Sequence, residues 1–278
     1  MPAVNHSRMV HSSQAGVHPR LERLLARRPG ALVLRTLGRQ YQDEPLPRWS
    51  YGLYQRRDGQ PLWDGAPPDP LAGGLGCPKE RFQSFAAALS EALRQRGWGL
   101  ARVQEPASQP AEGLRLLVRL DGAEPAADAA QDPRLLRSSV HADAIPLDGL
   151  RDELAADGQL LLQLRHRQLK GLEQPVAELE LPAWPEVESF LEFLRLLAAA
   201  AREARLPGLL VRGFPPPVDE TIAWTTLTPD PAVIEVNQAP ASDLSEFLAY
   251  NREVFAAAAE VGLSAYRLHY NGTETDSG

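Results

Sequence analysis

The stretch "TPDPAVIEVNQAPASDL", residues 228–244, places turn prolines on both sides of a short apolar run. Inside the run Ile234 and Val236 alternate with Glu235 and Asn237. Residues two apart in a strand share a face, so this spacing predicts a strand with one apolar and one polar side. If the apolar pair packs into the core, the carboxylate and the amide line the opposite face of a sheet. Two readings of that polar face stay open: it meets a ligand, or it is plain alternation turned to water. Both side chains offer the oxygen donors that a hard cation such as Mg²⁺ takes.

Working outward, "TIAWTTL" (221–227) reads as the strand before this motif, and "GLLVRGF" (208–214) as a strand running into three prolines. "LQLRHR" (162–167) and "VAELELP" (176–182) read as paired strands of a half-buried antiparallel sheet. "ALVLRTL" (31–37) and "LRLLVRL" (114–120) are further strands. "PLPRWSYGLYQRRDGQPLW" (45–63) alternates through Trp49, Tyr51 and Leu53 to a turn at Asp58-Gly59, which predicts a hairpin.

Helices are expected at 78–97, 185–205 and 243–261, with a shorter amphipathic one at 17–30. The first carries an apolar stripe of Phe82, Phe85, Ala86, Leu89 and Leu93, and Gly97 closes it. Asp243 and Glu246 have capping-box spacing, with Gly262 past the helix end. Strands come in runs and parallel βαβ repetition is absent. The expected class is therefore α+β, a mainly antiparallel sheet with packed helices. The expected organisation is a loose segment over 1–16, then one domain over 17–278 with a mobile insert near 121–133.

Charge narrows the partners. Lys and Arg number 29 against 36 Asp and Glu, a net charge of −7. Nucleic acid needs a concentrated basic face, so it is disfavoured as the main partner. The one cysteine, Cys77, excludes an internal disulfide and fits a reducing compartment, with cytoplasm the expected location. The N-terminus lacks the apolar core of a signal peptide. No apolar run approaches the ~20 residues that span a bilayer.

Other chemistry is sparse. The six histidines make no HExxH or i, i+4 pair. Cys77 sits at a helix start, which would lower its pKa, but no partner is fixed and a buried, incidental thiol is the better reading. "GGLGCPKE" lacks phosphate-loop spacing. "EPLPRW" (44–49) holds Glu44 and Arg48 four apart in a proline-stiffened segment, either as a presented carboxylate and guanidinium or as a surface ion pair.

Residues 30–63, together with "LPGLLVRGFPPP" and "TLTPDPAVIEVNQAPASDLSEF" within 206–247, resemble the amidoligase domain of large bacterial proteins. In those proteins it usually follows a transglutaminase-like cysteine-protease domain. The resemblance implies a glutamine-synthetase and glutamate–cysteine-ligase-like sheet, with ATP and Mg²⁺ as cofactors and amide formation as the reaction. It implies Glu235 as a catalytic Mg²⁺ ligand with Asn237 beside it. Arg48 would meet phosphate or a substrate carboxylate, and Glu44 and Asp230 would join it around the nucleotide. The implied partners are a transglutaminase-like protease domain, in cis or in trans, and a peptide or small carboxylate or amine substrate.

Three departures accompany the resemblance. Arg212 stands where that family carries an acidic residue, removing one carboxylate. An acidic segment expected before residue 30 is missing, and the chain stops at "NGTETDSG", where a glycine-rich loop should continue. The expectation is thus a partial copy of the domain. The alternatives are a non-catalytic substrate-binding module for the protease, and a structural domain with a half-exposed core.

Overall fold

The computed structural model describes residues 30–37, 49–62, 76–103, 112–126, 129, 132–136, 153–168, 173–229, 234–260, 266–268 and 274–276. No helix among them is long and apolar enough to cross a membrane. The first strands are β1 (Leu32–Leu37) and β2 (Trp49–Arg56), followed by helix α1 (Lys79–Gln95). Next come β3 (Gly99–Val103), β4 (Glu112–Arg119), a 3-10 turn at Pro133–Leu136 and the short α2 (Glu153–Ala156). β5 (Gln159–Arg167), β6 (Val176–Leu181), α3 (Val187–Glu203) and β7 (Leu210–Gly213) form the middle. β8 (Ile222–Pro229), β9 (Ile234–Gln238), α4 (Leu244–Glu260), β10 (Tyr266–Leu268) and β11 (Glu274–Asp276) complete the order.

Nine strands make one sheet in the order β3-β4-β5-β6-β7-β1-β2-β8-β9, and β10 pairs β11 apart from it. All neighbours are antiparallel except β6–β7 and β1–β7. The class is the expected α+β, and β6–α3–β7 is a single βαβ unit within it. Such parallel neighbours need a long crossover, which α3 provides.

The registers divide the side chains cleanly between two faces. Leu32 and Leu34 of β1, Tyr54 of β2, Leu162 and Leu164 of β5, and Leu179 and Leu181 of β6 lie on one of them. This face packs under α1 and α3 as the main hydrophobic cluster. The α1 stripe is buried as its spacing predicts, with Phe85, Leu89 and Leu93 at 0% exposure. Each such side chain contributes about 1.5–3 kcal/mol over an exposed one, so this face holds most of the fold's apolar stabilisation.

Both long core helices end in the same hydrogen-bond pattern. In α1 the Trp98 N–H donates to the Leu93 carbonyl at 3.2 Å and Gly97 N–H to Arg94 at 2.8 Å, with Gly97 at φ +88°. In α3 the Leu206 N–H donates to Ala201 at 2.9 Å and Arg205 N–H to Arg202 at 3.0 Å. These are Schellman closures, which need a left-handed residue just past the helix. α4 starts as its spacing predicts, the Asp243 carboxylate accepting the Glu246 N–H at 2.8 Å. Glu246 reaches back to the Ser242 N–H, one residue earlier than a capping box would place it. α4 buries none of its residues and leaves Leu244, Phe247, Leu248 and Phe255 exposed.

Three local expectations are corrected. The turn at Asp58-Gly59 forms, but within the described residues 49–62 no hairpin follows: both edges of β2 are taken, by β1 and β8. Past the turn, Pro61 has no N–H to donate, and the Leu62 N–H goes to Gly30 at 2.7 Å. Second, β5 and β6 are not half-buried; every β6 residue is buried. Third, β3 and the β10–β11 pair appear in segments where no such pairing is read from sequence. Within the proline- and alanine-rich insert, Asp121 accepts the Ala123 N–H at 3.0 Å and pairs with Arg119, whose guanidinium holds its carboxyl down to about 2. Of the helix expected at 17–30 all but Gly30 lies outside the described residues, as do residues 63–75 and Gly262.

Candidate functional site

Glu235 and Asn237 lie on β9, the last strand of the sheet, and the Asn237 Nδ2 donates to Glu235 Oε1 at 3.0 Å. Their register partners on β8 are Thr228 and Thr226, and Thr226 in turn faces Gly52. The polar pair therefore shares the face that carries the main hydrophobic cluster, beyond the part α1 and α3 cover. Ile234 and Val236 take the other face, and Val236 is 39% exposed. This reverses the expected orientation. Ile234 is only partly buried and Val236 is exposed, so alternation here does not mark the core.

Within this pair one carboxylate oxygen already accepts the amide hydrogen. Among the described residues no three His, Cys, Asp or Glu side chains converge. Glu44, Arg48 and Asp230 lie outside the described residues. Cys77 is buried, and that burial pushes its thiol up. His166 meets the Cys77 backbone carbonyl at 2.7 Å through Nε2 and stacks on Phe82. This histidine therefore orients backbone and packs on a ring, and the nucleophile reading of Cys77 gains nothing from it.

The second face of the sheet carries a charged layer. Register puts Arg115 of β4 beside Gln163 of β5, Gln163 beside Glu180 of β6, and Glu180 beside Arg212 of β7. One step along, Arg165 faces Glu178. Glu178 is 0% exposed, Arg115 and Gln163 1%, and Glu180 3%. Charges this deep must be compensated by partners. Gln163 Nε2 donates to Glu180 Oε1 at 3.1 Å, and Arg165 Nη2 donates to Gln163 Oε1 at 2.9 Å. Arg115 donates through Nη2 to the Leu135 carbonyl.

Glu178 is held differently. Arg212 Nη2 approaches its Oε2 at 3.0 Å and Arg167 Nη1 its Oε1 at 3.7 Å. These are ion pairs by distance, yet neither carboxylate oxygen meets hydrogen-bond alignment. The layer is sealed at Glu178 and opens toward Arg212 and Arg167, whose side chains are 14% and 44% exposed. A small apolar cluster of Val103, Leu117, Leu135, Leu154 and Leu161 closes its other end.

Carboxylates on one strand face suit a hard cation, and planar guanidinium groups suit phosphate or carboxylate. Among the described residues, both donor types stand together here. The layer was visible in sequence as two alternations in consecutive strands, Gln163, Arg165 and Arg167 against Glu178 and Glu180. Opposite charges at matching parity mark cross-strand pairs. Read one strand at a time, they look like polar faces in water.

A family model described as "Putative amidoligase enzyme (DUF2126)" matches residues 7–106 and 172–278. The chain belongs to this family. No curated protein and no solved structure matches it. The amidoligase-family blocks carry Glu178, Glu180, Arg212, Glu235 and Asn237. Arg115, Gln163, Arg165 and Arg167 come from the segment between the blocks, which inserts the whole of β4 and β5 into the sheet. The acidic half of the layer thus belongs to the family-matched sequence, and much of the basic half to the intervening segment.

Proposed function

We propose that this amidoligase-family chain is a cytoplasmic carboxylate–amine ligase domain that uses ATP and Mg²⁺ on the charged face of β5, β6 and β7. The observation that carries the reading is Glu178: a sealed carboxylate that accepts no hydrogen bond and is flanked by guanidinium groups. The donor set fits a metal–nucleotide complex, with Glu178 and Glu180 as the cation-holding carboxylates. When bound, that complex supplies the phosphoryl group that activates the substrate carboxylate. Arg165, Arg167 and Arg212 hold and orient the phosphates or the substrate carboxylate, and burial of the layer keeps water from it. A peptide or small carboxylate or amine is the substrate class, and a transglutaminase-like protease domain, in cis or in trans, is the partner carried by the family resemblance.

The test is ADP release with a panel of carboxylates and amines, comparing the protein with its Glu178→Gln and Glu235→Gln variants. Glu178→Gln is expected to lose about 100-fold, the upper end of what removing even a supporting residue of a metal site costs. Glu235→Gln is expected to stay near the parent. The opposite order would move the reaction to β9. A second reading has an observation of its own: Arg212 already compensates Glu178, as it would in a non-catalytic module that binds substrate for the protease. Peptide binding without any ATP turnover would favour that reading.

A further inference from the structure

Glu178 and Glu180 stand two apart on one face of β6 and have the chemistry of a divalent-cation pair. The place a cation would take beside Glu178 is already held, however. Arg212 is the register partner of Glu180 and reaches diagonally to Glu178 Oε2 at 3.0 Å. Arg167 approaches the other oxygen from β5 at 3.7 Å. A guanidinium and a cation compete for the same oxygens, and their mutual repulsion in a low-dielectric layer is severe. The missing hydrogen-bond alignment matters too: Glu178 is compensated in charge while its lone pairs are not saturated. Both oxygens remain available as donors if the guanidinium finds another anion.

We propose that Arg212 is a built-in counter-cation that keeps free divalent metal off Glu178 and Glu180, so that metal enters only together with an anion able to draw the guanidinium away. A triphosphate is such an anion. Arg212 then decides what may load the site: a metal–phosphate complex is admitted and the bare ion is refused. This rests on the ligase reading for the identity of the anion, but the exclusion of bare metal stands on the Arg212–Glu178 geometry alone.

The experiment titrates the full chain with Mn²⁺ alone and follows the free-ion paramagnetic resonance signal, with Glu178→Gln as the control. The parent is expected to remove no more free Mn²⁺ than the control. Arg212→Glu supplies a carboxylate where the guanidinium was, and is expected to bind one Mn²⁺ and to melt higher in its presence. At 100-fold excess over the dissociation constant the expected rise is at least a few degrees, about the shift that ligand linkage gives a chain of this size. Arg212→Gln, which removes charge without adding any, is expected to bind more weakly than Arg212→Glu but above the parent.

Mn²⁺ uptake by the parent that Glu178→Gln abolishes would overturn the proposal. So would folded Arg212→Glu and Arg212→Gln proteins that both ignore the metal. If Arg212→Glu folds neither without nor with Mn²⁺, the ion cannot replace the guanidinium, which overturns it as well. No arm reads ATP turnover, so a chain without ligase activity would sink the ligase reading and leave this result intact.

Discussion

A carboxylate with no solvent exposure costs several kcal/mol to desolvate, and Glu178 offsets that cost through Arg212 and, less closely, Arg167. Breaking such a pair is far worse than replacing it whole. Glu178→Leu alone is expected to destabilise the protein by about 3 kcal/mol, toward the low end for buried pairs because both arginines retain some solvent. Glu178→Leu with Arg212→Met is expected to recover most of that loss, since two packed apolar side chains need no compensation. Urea unfolding of the two single variants and the double variant checks this. A double variant as unstable as the sum of the singles would show that no pairing links them. The charged residues of this layer were present in the sequence as ordinary alternation, but nothing in one strand says which of its faces is roofed. Only the register that sets Arg165 against Glu178 turns two polar stripes into one buried layer.

At the scale of elements, helix legibility and strand legibility had different causes. α1, α3 and α4 were readable because their stripes repeat over 17 residues each and their ends carry Pro, Gly or an acidic cap. β3 and the Glu274–Asp276 strand are too short for a period to register, and the turn at Asp58-Gly59 gave a local signal that the claims of β1 and β8 on β2 overrode. One helix end breaks its own local rule. Arg205 occupies the left-handed position after α3 at φ +51°, where α1 uses Gly97. A side chain there costs about 1 kcal/mol that glycine avoids. Arg205→Gly is therefore expected to stabilise the protein by about 0.5–1 kcal/mol, because the Arg81 contact at this residue is made to its backbone carbonyl and survives the change. Gly97→Ala is expected to cost a similar amount. Thermal melts of both variants test the pair, and a destabilised Arg205→Gly would assign that side chain a packing role beyond its backbone.

At the scale of the whole molecule, the nine-stranded sheet separates two sets of polar residues that a linear reading would merge. β6 and β9 are five strand steps apart in the order of the sheet, roughly 24 Å at the usual strand spacing. Glu178 and Glu235 also point to opposite faces, by the register chain running through β7, β1, β2 and β8. The class and the mainly antiparallel pairing could be read from alternating runs and the small number of helices. The face assignment could not, because it depends on every register between the two strands, and one slipped pairing would reverse it. A physical consequence follows for any ligand on the charged face: side chains of β9 on the far face cannot share it. Glu178→Gln and Glu235→Gln should then be independent. Their stability changes are expected to add within about 0.5 kcal/mol, as separated sites without common partners do. Nucleotide affinity should fall in Glu178→Gln and be no lower in the double variant. Chemical unfolding and calorimetric titration of the four proteins measure both quantities. Coupling above about 1 kcal/mol in either one would mean the two carboxylates meet through a common partner, and the division of labour between the faces would have to be abandoned.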